Sequence, residues 1–282
     1  MSRRARPIVR YHGGKWMLAP WIISHFPPHH TYVEPYGGGG SVLLRKERAY
    51  AEVYNDLDDE IVNVFSVARE RGMELHRALE LTPFARVEFQ ASYQPTNDPL
   101  ERARRTVIRA FQGFGSAAAC GEASGFRGTS SRSGTTPAHD WRNYPDALVA
   151  TIDRLRGVVI ENRDALRVMK HHDRPRTLHY VDPPYVHSTR STKVRHMRPG
   201  KSYKHEMSDG QHNDLAAFLH GLCGMVVLSG YPSPLYDELY ADWTRVERPA
   251  IADGARPRIE CLWLNPAADA ALTASRAEAK AA

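Results

Sequence analysis

The chain has 282 residues, 42% of them apolar, with 38 Lys plus Arg against 32 Asp plus Glu, a net charge of +6 and an isoelectric point near 9.3. That length can bury a sizeable core and suits one large domain or two of modest size, and the basic surplus favours an acidic partner. Cys120, Cys223 and Cys261 supply neither a disulfide framework nor a metal-ligand spacing, no apolar run reaches membrane-spanning length, and the basic N-terminus lacks the apolar stretch of a secretion signal. A soluble, cytoplasmic monomer without a metal is the expectation.

In chain order, Gly13-Gly14-Lys15 reads as a tight loop, and the apolar spacing of residues 16–26 as a helix stopped by Pro27-Pro28. Thr31-Tyr32-Val33-Glu34 is a short strand. Pro35-Tyr36 and the run Gly37-Gly38-Gly39-Gly40 follow it, with Ser41 placed to cap a helix carrying Val42, Leu43 and Leu44. Glu52-Val53-Tyr54 is a second strand ending at Asn55-Asp56, and residues 60–68 form an amphipathic helix. Strand, glycine turn, helix, strand and acidic end make a doubly wound nucleotide-cofactor unit.

Residues 69–150 break that rhythm. Segments 69–81 and 100–111 look helical with no strand between them, and residues 113–139 are rich in Gly, Ser, Ala and Thr around Arg127 and Arg132. A loop this long is uncommon unless functional or disordered, so the segment reads as an inserted, mostly helical module with a reading loop. The α/β pattern then resumes: a helix at 145–155, a strand at 158–162 near Asp164, the strand before Asp182, a helix at 209–222 capped by Asp209, and strands at 225–229 and 259–264. The alanine-rich tail from Ala267 is expected to fray. The plan is therefore 1–68 cofactor-binding part, 69–150 inserted module, 151–266 catalytic part and 267–282 flexible tail.

The basic residues fall in blocks. Residues 1–15 hold Arg3, Arg4, Arg6, Arg10 and Lys15 with no acid; residues 102–142 hold seven arginines against Glu122 and Asp140; residues 186–207 hold six Lys and Arg against Glu206. A basic block is often only a solvated loop, but three of them favour a polyanion.

The segment Thr177-Leu178-His179-Tyr180-Val181-Asp182-Pro183-Pro184-Tyr185 is the most informative. Proline cannot donate to a strand ladder, so Pro183-Pro184 ends the pairing and projects a stiff turn. That turn would present Asp182 and the Pro183 carbonyl as acceptors beside the flat face of Tyr185, a match for an exocyclic amine on a nucleobase. The glycine run after the first strand lets a ligand approach the backbone. The third glycine of a dinucleotide fingerprint is Val42 here and no Walker lysine follows, so a cofactor without phosphates but with an amino-acid end, S-adenosylmethionine, fits better. Asp56 sits where an acid meets ribose hydroxyls, with a helix-capping role equally open, and Asp164 sits at a third strand end.

Taken in order, Tyr11-His12-Gly13-Gly14-Lys15, Val33-Glu34-Pro35-Tyr36-Gly37-Gly38-Gly39, Tyr54-Asn55-Asp56, Asn162-Arg163-Asp164 and Asp182-Pro183-Pro184-Tyr185 resemble the DNA adenine methylase family. His212, Leu228-Ser229-Gly230-Tyr231 and Glu260-Cys261-Leu262-Trp263-Leu264 resemble its closing segments, so the resemblance runs from about residue 10 to about residue 265. It implies a Rossmann-like methyltransferase sheet interrupted by a DNA-recognition module. It also implies methyl transfer from S-adenosylmethionine to adenine N6 in flipped-out duplex DNA, with restriction-modification and phage or prophage contexts typical of the shorter forms. Asp182, Pro183, Pro184 and Tyr185 would be the catalytic turn; Tyr11, Lys15, Glu34, Pro35, Tyr36, Gly37, Gly39, Asn55, Asp56, Asp164 and Asp182 would serve the cofactor. The sequence departs from the family at Tyr11, often tryptophan, and at Ala165, where an aromatic or apolar residue often stacks on adenine. Arg109, Arg127, Arg132, Arg142 and Arg190 are the candidates for DNA contact. Cytosine-N4 methylation, RNA or protein-amide methylation, and a catalytically silent DNA-binding relative remain open.

Overall fold

A computed structural model describes residues 7–11, 13–114, 124–128, 135–189, 205–252 and 256–281. Helix α1 (Ala19–Ile23) covers only the middle of the stretch predicted helical. Pro20 has no N–H to donate and is tolerated only in a helix's first turn, which fixes the start at Ala19. Strands β1 (Thr31–Glu34) and β2 (Ala51–Asn55) follow as expected. No regular helix forms after the glycine run: residues 41–45 are successive turns, and the Leu43 N–H donates to Glu34 Oε2 at 2.9 Å.

Helix α2 (Asp59–Glu70) is capped by Asp58 and presents Ile61, Val64, Phe65 and Ala68 to the sheet. The next segment supplies α3 (Gly72–Glu80), α4 (Arg86–Ala91), α5 (Pro99–Gln112), α6 (Pro137–Arg142) and α7 (Tyr144–Leu155). Its helices do not stand apart: Leu75, Val107, Phe111, Trp141 and Leu148 share one apolar cluster with α2 and the sheet.

Strand β3 (Val158–Glu161), helix α8 (Ala165–His172) and strand β4 (Thr177–Val181) return to the α/β rhythm. Helix α9 (Asp209–His220) begins one residue earlier than Asp209 would cap it. Ser208 accepts from the Gln211 N–H while the Gln211 side chain accepts from the Ser208 N–H, a reciprocal box that satisfies two end groups at once. Strand β5 (Met225–Gly230) and helix α10 (Pro234–Leu239) lead to β6 (Thr244–Ala252), which the sequence reading missed, and to β7 (Arg256–Leu264). The tail is not frayed: helix α11 (Pro266–Ala281) buries Ala268 and Leu272, and Asn265 Oδ1 accepts from the Ala268 N–H at 2.9 Å.

The described strands form one seven-stranded sheet in the order β3-β2-β1-β4-β5-β7-β6. β7 runs antiparallel to β5 and to β6, and the remaining pairs are parallel. Helices α2, α3, α5 and α7 cover one face, while α8, α9 and α10 cover the other. β1 lies between β2 and β4, so the chain reverses its direction of growth there; in open α/β sheets, ligands bind beyond the strand ends at such a point.

Among the described residues, no helix is long and apolar enough to cross a membrane, and no cluster of three metal-ligating side chains is present.

Candidate active site

The two-residue period of a strand assembles the site. Register pairs Tyr32 with Leu178 across β1 and β4, Tyr180 with Val227 across β4 and β5, and Ser229 with Leu262 across β5 and β7. Glu34, Tyr180, Ser229 and Glu260 therefore share one sheet face, and Asp182 continues the alternation just past β4. Four adjacent strands bring their polar residues to one place although the residues span more than 200 positions of sequence.

Asp182 is held from two sides. Ser229 Oγ donates to its Oδ1 at 2.7 Å, and Lys15 Nζ lies 3.0 Å from its Oδ2. Lys15 also donates to the Gly13 carbonyl at 2.9 Å, lies 3.9 Å from Glu260 Oε1, and sits 4.6 Å from the centre of the Tyr185 ring. Burial raises the Glu260 carboxyl to about 7, an effect that the Lys15 ammonium opposes. Glu34, fully enclosed, is pushed by burial to about 8, although the Tyr32 hydroxyl donates to it at 2.6 Å. Lys15 thus stands between two carboxyls, Asp182 and Glu260, while Glu34 feels the Asp182 carboxylate, which raises it further, and Lys46, which opposes that.

Beside this cluster lies a cavity of about 620 Å³, lined by Tyr11, Lys15, Glu34, Pro35, Tyr36, Gly37, Gly39, Asp56, Asp164, Asp182 and Pro184, with Ala165 and Leu166 from α8 and Met207, Gln211, Asp214 and Leu215 from the α9 side. The glycines earn their place chiefly by packing. A Cβ on Gly37 would fall 2.2 Å from the Tyr54 ring, and Gly38 has φ +47° with a Cβ position 2.8 Å from the Tyr11 ring. The turn is tied down at both ends: the Gly38 N–H donates to Asp56 Oδ2 at 2.8 Å, and the Tyr54 hydroxyl donates to the Gly38 carbonyl at 2.7 Å. Asp56 Oδ1 also accepts from the Asp58 N–H, while burial raises its carboxyl above the ordinary range. Asp164 caps α8 by accepting from the Arg167 N–H at 3.0 Å, and it also lines the cavity.

Four predicted residues sit differently from expectation. Asn55 is fully buried and does not line the cavity. It stitches strand ends together, donating to the Pro35 and Arg163 carbonyls and accepting from the Arg163 N–H, each at 2.9 Å. Tyr185 is no open stacking platform: it is 6% exposed, donates its hydroxyl to Glu260 Oε1, and meets Tyr231 edge-to-face at 4.7 Å. Pro183 is buried and does not line the cavity. Arg109 is 8% exposed and directs its guanidinium to the Ser92 carbonyl, Thr106 Oγ1 and Glu60 Oε2, so it is a core residue of α5 and not the exposed cation that was expected.

Arg142 is exposed at the end of α6. Arg127 is half-buried, its N–H bonded to the Gln112 carbonyl where an isolated bridge joins Gly113 to Phe126. Arg132 and Arg190 lie outside the described residues.

The sequence reading assigned no role to Ser229 or Glu260. Glu260 had a visible signal, a lone carboxylate inside the apolar run Ile259-Glu260-Cys261-Leu262-Trp263-Leu264, which is costly unless partnered.

This strand order, with a ligand-sized cavity at its switch point and an acid at three successive strand ends, defines a Rossmann-like methyltransferase fold. The profile of the family described as D12 class N6 adenine-specific DNA methyltransferase matches residues 11–251, and the chain belongs to that family. The chain is also similar to the DNA adenine methylase of Escherichia coli (strain K12), with 28% identity over 108 residues. That alignment takes in 36% of this chain and 38% of the relative's length, and the same figures hold for the DNA adenine methylase of Escherichia coli O157:H7.

Proposed function

We propose that this protein transfers a methyl group from S-adenosylmethionine to the N6 amine of adenine in duplex DNA. The observation that carries the reading is the position of Asp182: its carboxylate is oriented by Lys15 and Ser229 and opens onto the same cavity as Asp56, Asp164 and the glycine turn.

The cavity's donor and acceptor set fits the cofactor. Asp56 would hold the ribose hydroxyls and Asp164 the adenine amine, while Tyr11, Lys15, Glu34, Pro35, Tyr36, Gly37 and Gly39 would enclose the methionine end. S-adenosylmethionine, when bound, supplies an electrophilic methyl group.

The chain's own residues do the rest. A base inside a duplex cannot reach this site, so the target must leave the stack at a cost of a few kcal/mol. Stacking on Tyr185, worth roughly 1–3 kcal/mol, repays part of that, and requires the buried ring's surroundings to open. Asp182 accepts from the N6 amine and turns the nitrogen lone pair toward the cavity; Pro183 is buried off the cavity, so its carbonyl takes the second N6 hydrogen only with the same opening that exposes the Tyr185 ring. Alignment and water exclusion account for most of the rate, because an aromatic amine need not lose its proton before attack. Asp182 is the nearest acceptor for the proton released afterwards.

Residues 69–150 are the target-recognition module in this reading, with Arg127, Arg132 and Arg142 facing DNA and Arg190 following the catalytic turn. The test is transfer of labelled methyl to unmethylated genomic DNA followed by nucleoside analysis. N6-methyladenine is expected; label confined to N4-methylcytosine would replace the substrate, and no label in DNA despite bound cofactor would overturn the proposal.

A further inference from the structure

Glu260 stands on β7, followed on the same face by Leu262 and Leu264, and is 2% exposed. Enclosing a carboxylate costs several kcal/mol unless it is partnered, so a purely structural strand position would more readily carry an apolar residue. Its partners are Tyr185, three residues after Asp182 in the same turn, and Lys15, which also reaches Asp182. The Tyr185 hydroxyl donates to Glu260 Oε1, and Lys15 Nζ lies 3.9 Å from the same oxygen while lying 3.0 Å from Asp182 Oδ2. The Tyr185 ring, with Lys15 4.6 Å from its centre, is therefore anchored at its far end by a strand in the interior of the sheet.

Resting on the methyl-transfer reading above, we infer that Glu260 is a positioning residue of that centre. Its carboxylate fixes the Tyr185 ring by the hydroxyl and shares the Lys15 ammonium with Asp182, setting where ring and acceptor meet the base. The Pro-Pro turn alone fixes the backbone of Tyr185 but leaves the side-chain torsions free. A tether on a rigid strand removes that freedom, which is what precise placement of a reacting group requires.

The groups facing Glu260 come from every neighbouring element. They are Lys15 before α1; Tyr180 on β4, with Asp182 and Tyr185 after it; Tyr231 after β5; Arg248, its register partner on β6; and Arg258 on β7, which lies 5.7 Å from the Tyr231 ring centre. Lys15 is the cation that reaches the carboxylate, and burial leaves Glu260 exchanging its proton at about 7. Above that pH the carboxylate accepts from Tyr185 and attracts Lys15 at full strength; below it, both holds weaken.

The experiment compares wild type, Glu260→Gln and Tyr185→Phe in labelled methyl transfer to unmethylated genomic DNA from pH 6 to 9. S-adenosylhomocysteine affinity is measured alongside, and infrared spectra of the cofactor-free proteins are recorded over the same range. Wild-type kcat should rise with pH through about 7. Glu260→Gln should flatten that limb and lower kcat on the order of tenfold to a hundredfold, the loss of one hydrogen bond to a charged acceptor, with S-adenosylhomocysteine affinity unchanged. Its infrared spectrum should lack the carboxylic-acid band that titrates near 7, while that of Glu34, near 8, remains.

Tyr185→Phe keeps the ring and the titrating carboxylate but removes the tether, and should lower kcat by a similar factor with S-adenosylhomocysteine affinity unchanged, while a limb acting through Lys15 remains; it decides the matter if Glu260→Gln does not fold. A retained limb in folded Glu260→Gln, a wild-type kcat in folded Tyr185→Phe, or a kcat loss matched by lost S-adenosylhomocysteine affinity, would overturn the inference alone. Failure of wild type to methylate DNA at any pH would overturn it together with the reading on which it rests.

Discussion

Lys15 Nζ lies 3.0 Å from Asp182 Oδ2, with the lysine side chain 7% and the aspartate side chain 17% exposed. One comes from the loop before α1 and the other from the turn after β4, so the ammonium joins the first segment of the fold to the middle of the sheet. It also stands between Asp182 and Glu260, two carboxyls that would otherwise face each other.

Replacing Lys15 by Met should therefore cost stability as well as activity. Breaking an enclosed ion pair by removing one partner costs about 3–5 kcal/mol, because the other charge stays buried. Urea denaturation of the cofactor-free protein should show a midpoint well below wild type. An unchanged midpoint would mean that the pair contributes nothing to the fold.

Glu34 gives a pH signature. Its carboxyl is raised by burial from 4.5 to about 8, so the folded protein holds a proton between those values that the unfolded chain has released. The sign follows from linkage: this stabilisation is complete below 4.5 and is lost as pH rises through 8, at up to about 1.4 kcal/mol per pH decade. Glu34→Gln keeps an acceptor for Tyr32 and Leu43 but does not titrate. Its unfolding free energy should vary less with pH across that window than the wild-type value does, and parallel curves would contradict the assignment.

Asp56 divides its oxygens between the Gly38 and Asp58 N–H groups while facing the cavity. Asp56→Ala frees the glycine turn and removes the ribose acceptor together. Calorimetry should show S-adenosylhomocysteine binding weakened by roughly tenfold to a hundredfold, the value of a charged hydrogen bond. The methylated DNA sequence should not change; a new target site would contradict the separation of cofactor and recognition roles.

Arg109 and Arg142 should behave in opposite ways. Arg142→Ala removes an exposed charge and should lower the slope of log affinity against log salt by about 0.9 while leaving stability unaltered. Arg109→Ala strips partners from Glu60, Thr106 and Ser92 in the core, and should lower the thermal midpoint without moving the salt slope. The reverse pattern would return Arg109 to the DNA face.

Much of the sheet was legible because its strands are short apolar runs that stop at an acid, a glycine or a proline. The strands ending at Glu34, Asn55 and Val181 all appeared within a residue or two of the predicted place. β6 was not legible, since Arg245, Glu247, Arg248 and Pro249 give it the composition of a loop; it is an edge strand, where charge and proline are tolerated. The tail's helix was hidden because an alanine-rich stretch has weak apolar periodicity, and only contact with the sheet decides that Ala268 and Leu272 are buried.

The Asp182-Pro183-Pro184-Tyr185 turn was visible as a motif, but its surroundings were not. Nothing local to Tyr185 shows that its hydroxyl is taken by a residue 75 positions later, and nothing local to Arg109 shows that it faces Glu60 across a helix pair. Both facts depend on which strands and helices become neighbours.

The most direct test of the account is Asp182→Asn in a single-turnover assay with labelled S-adenosylmethionine and unmethylated duplex DNA, read beside cofactor affinity by calorimetry. The amide keeps an acceptor oxygen but loses the charge that Lys15 orients and the proton acceptor for the methylated amine. The account predicts a methyl-transfer rate reduced by at least about 100-fold, the scale of a positioned acid-base group, with cofactor affinity changed little. A rate close to wild type in the folded variant would contradict the placement of the reaction at Asp182.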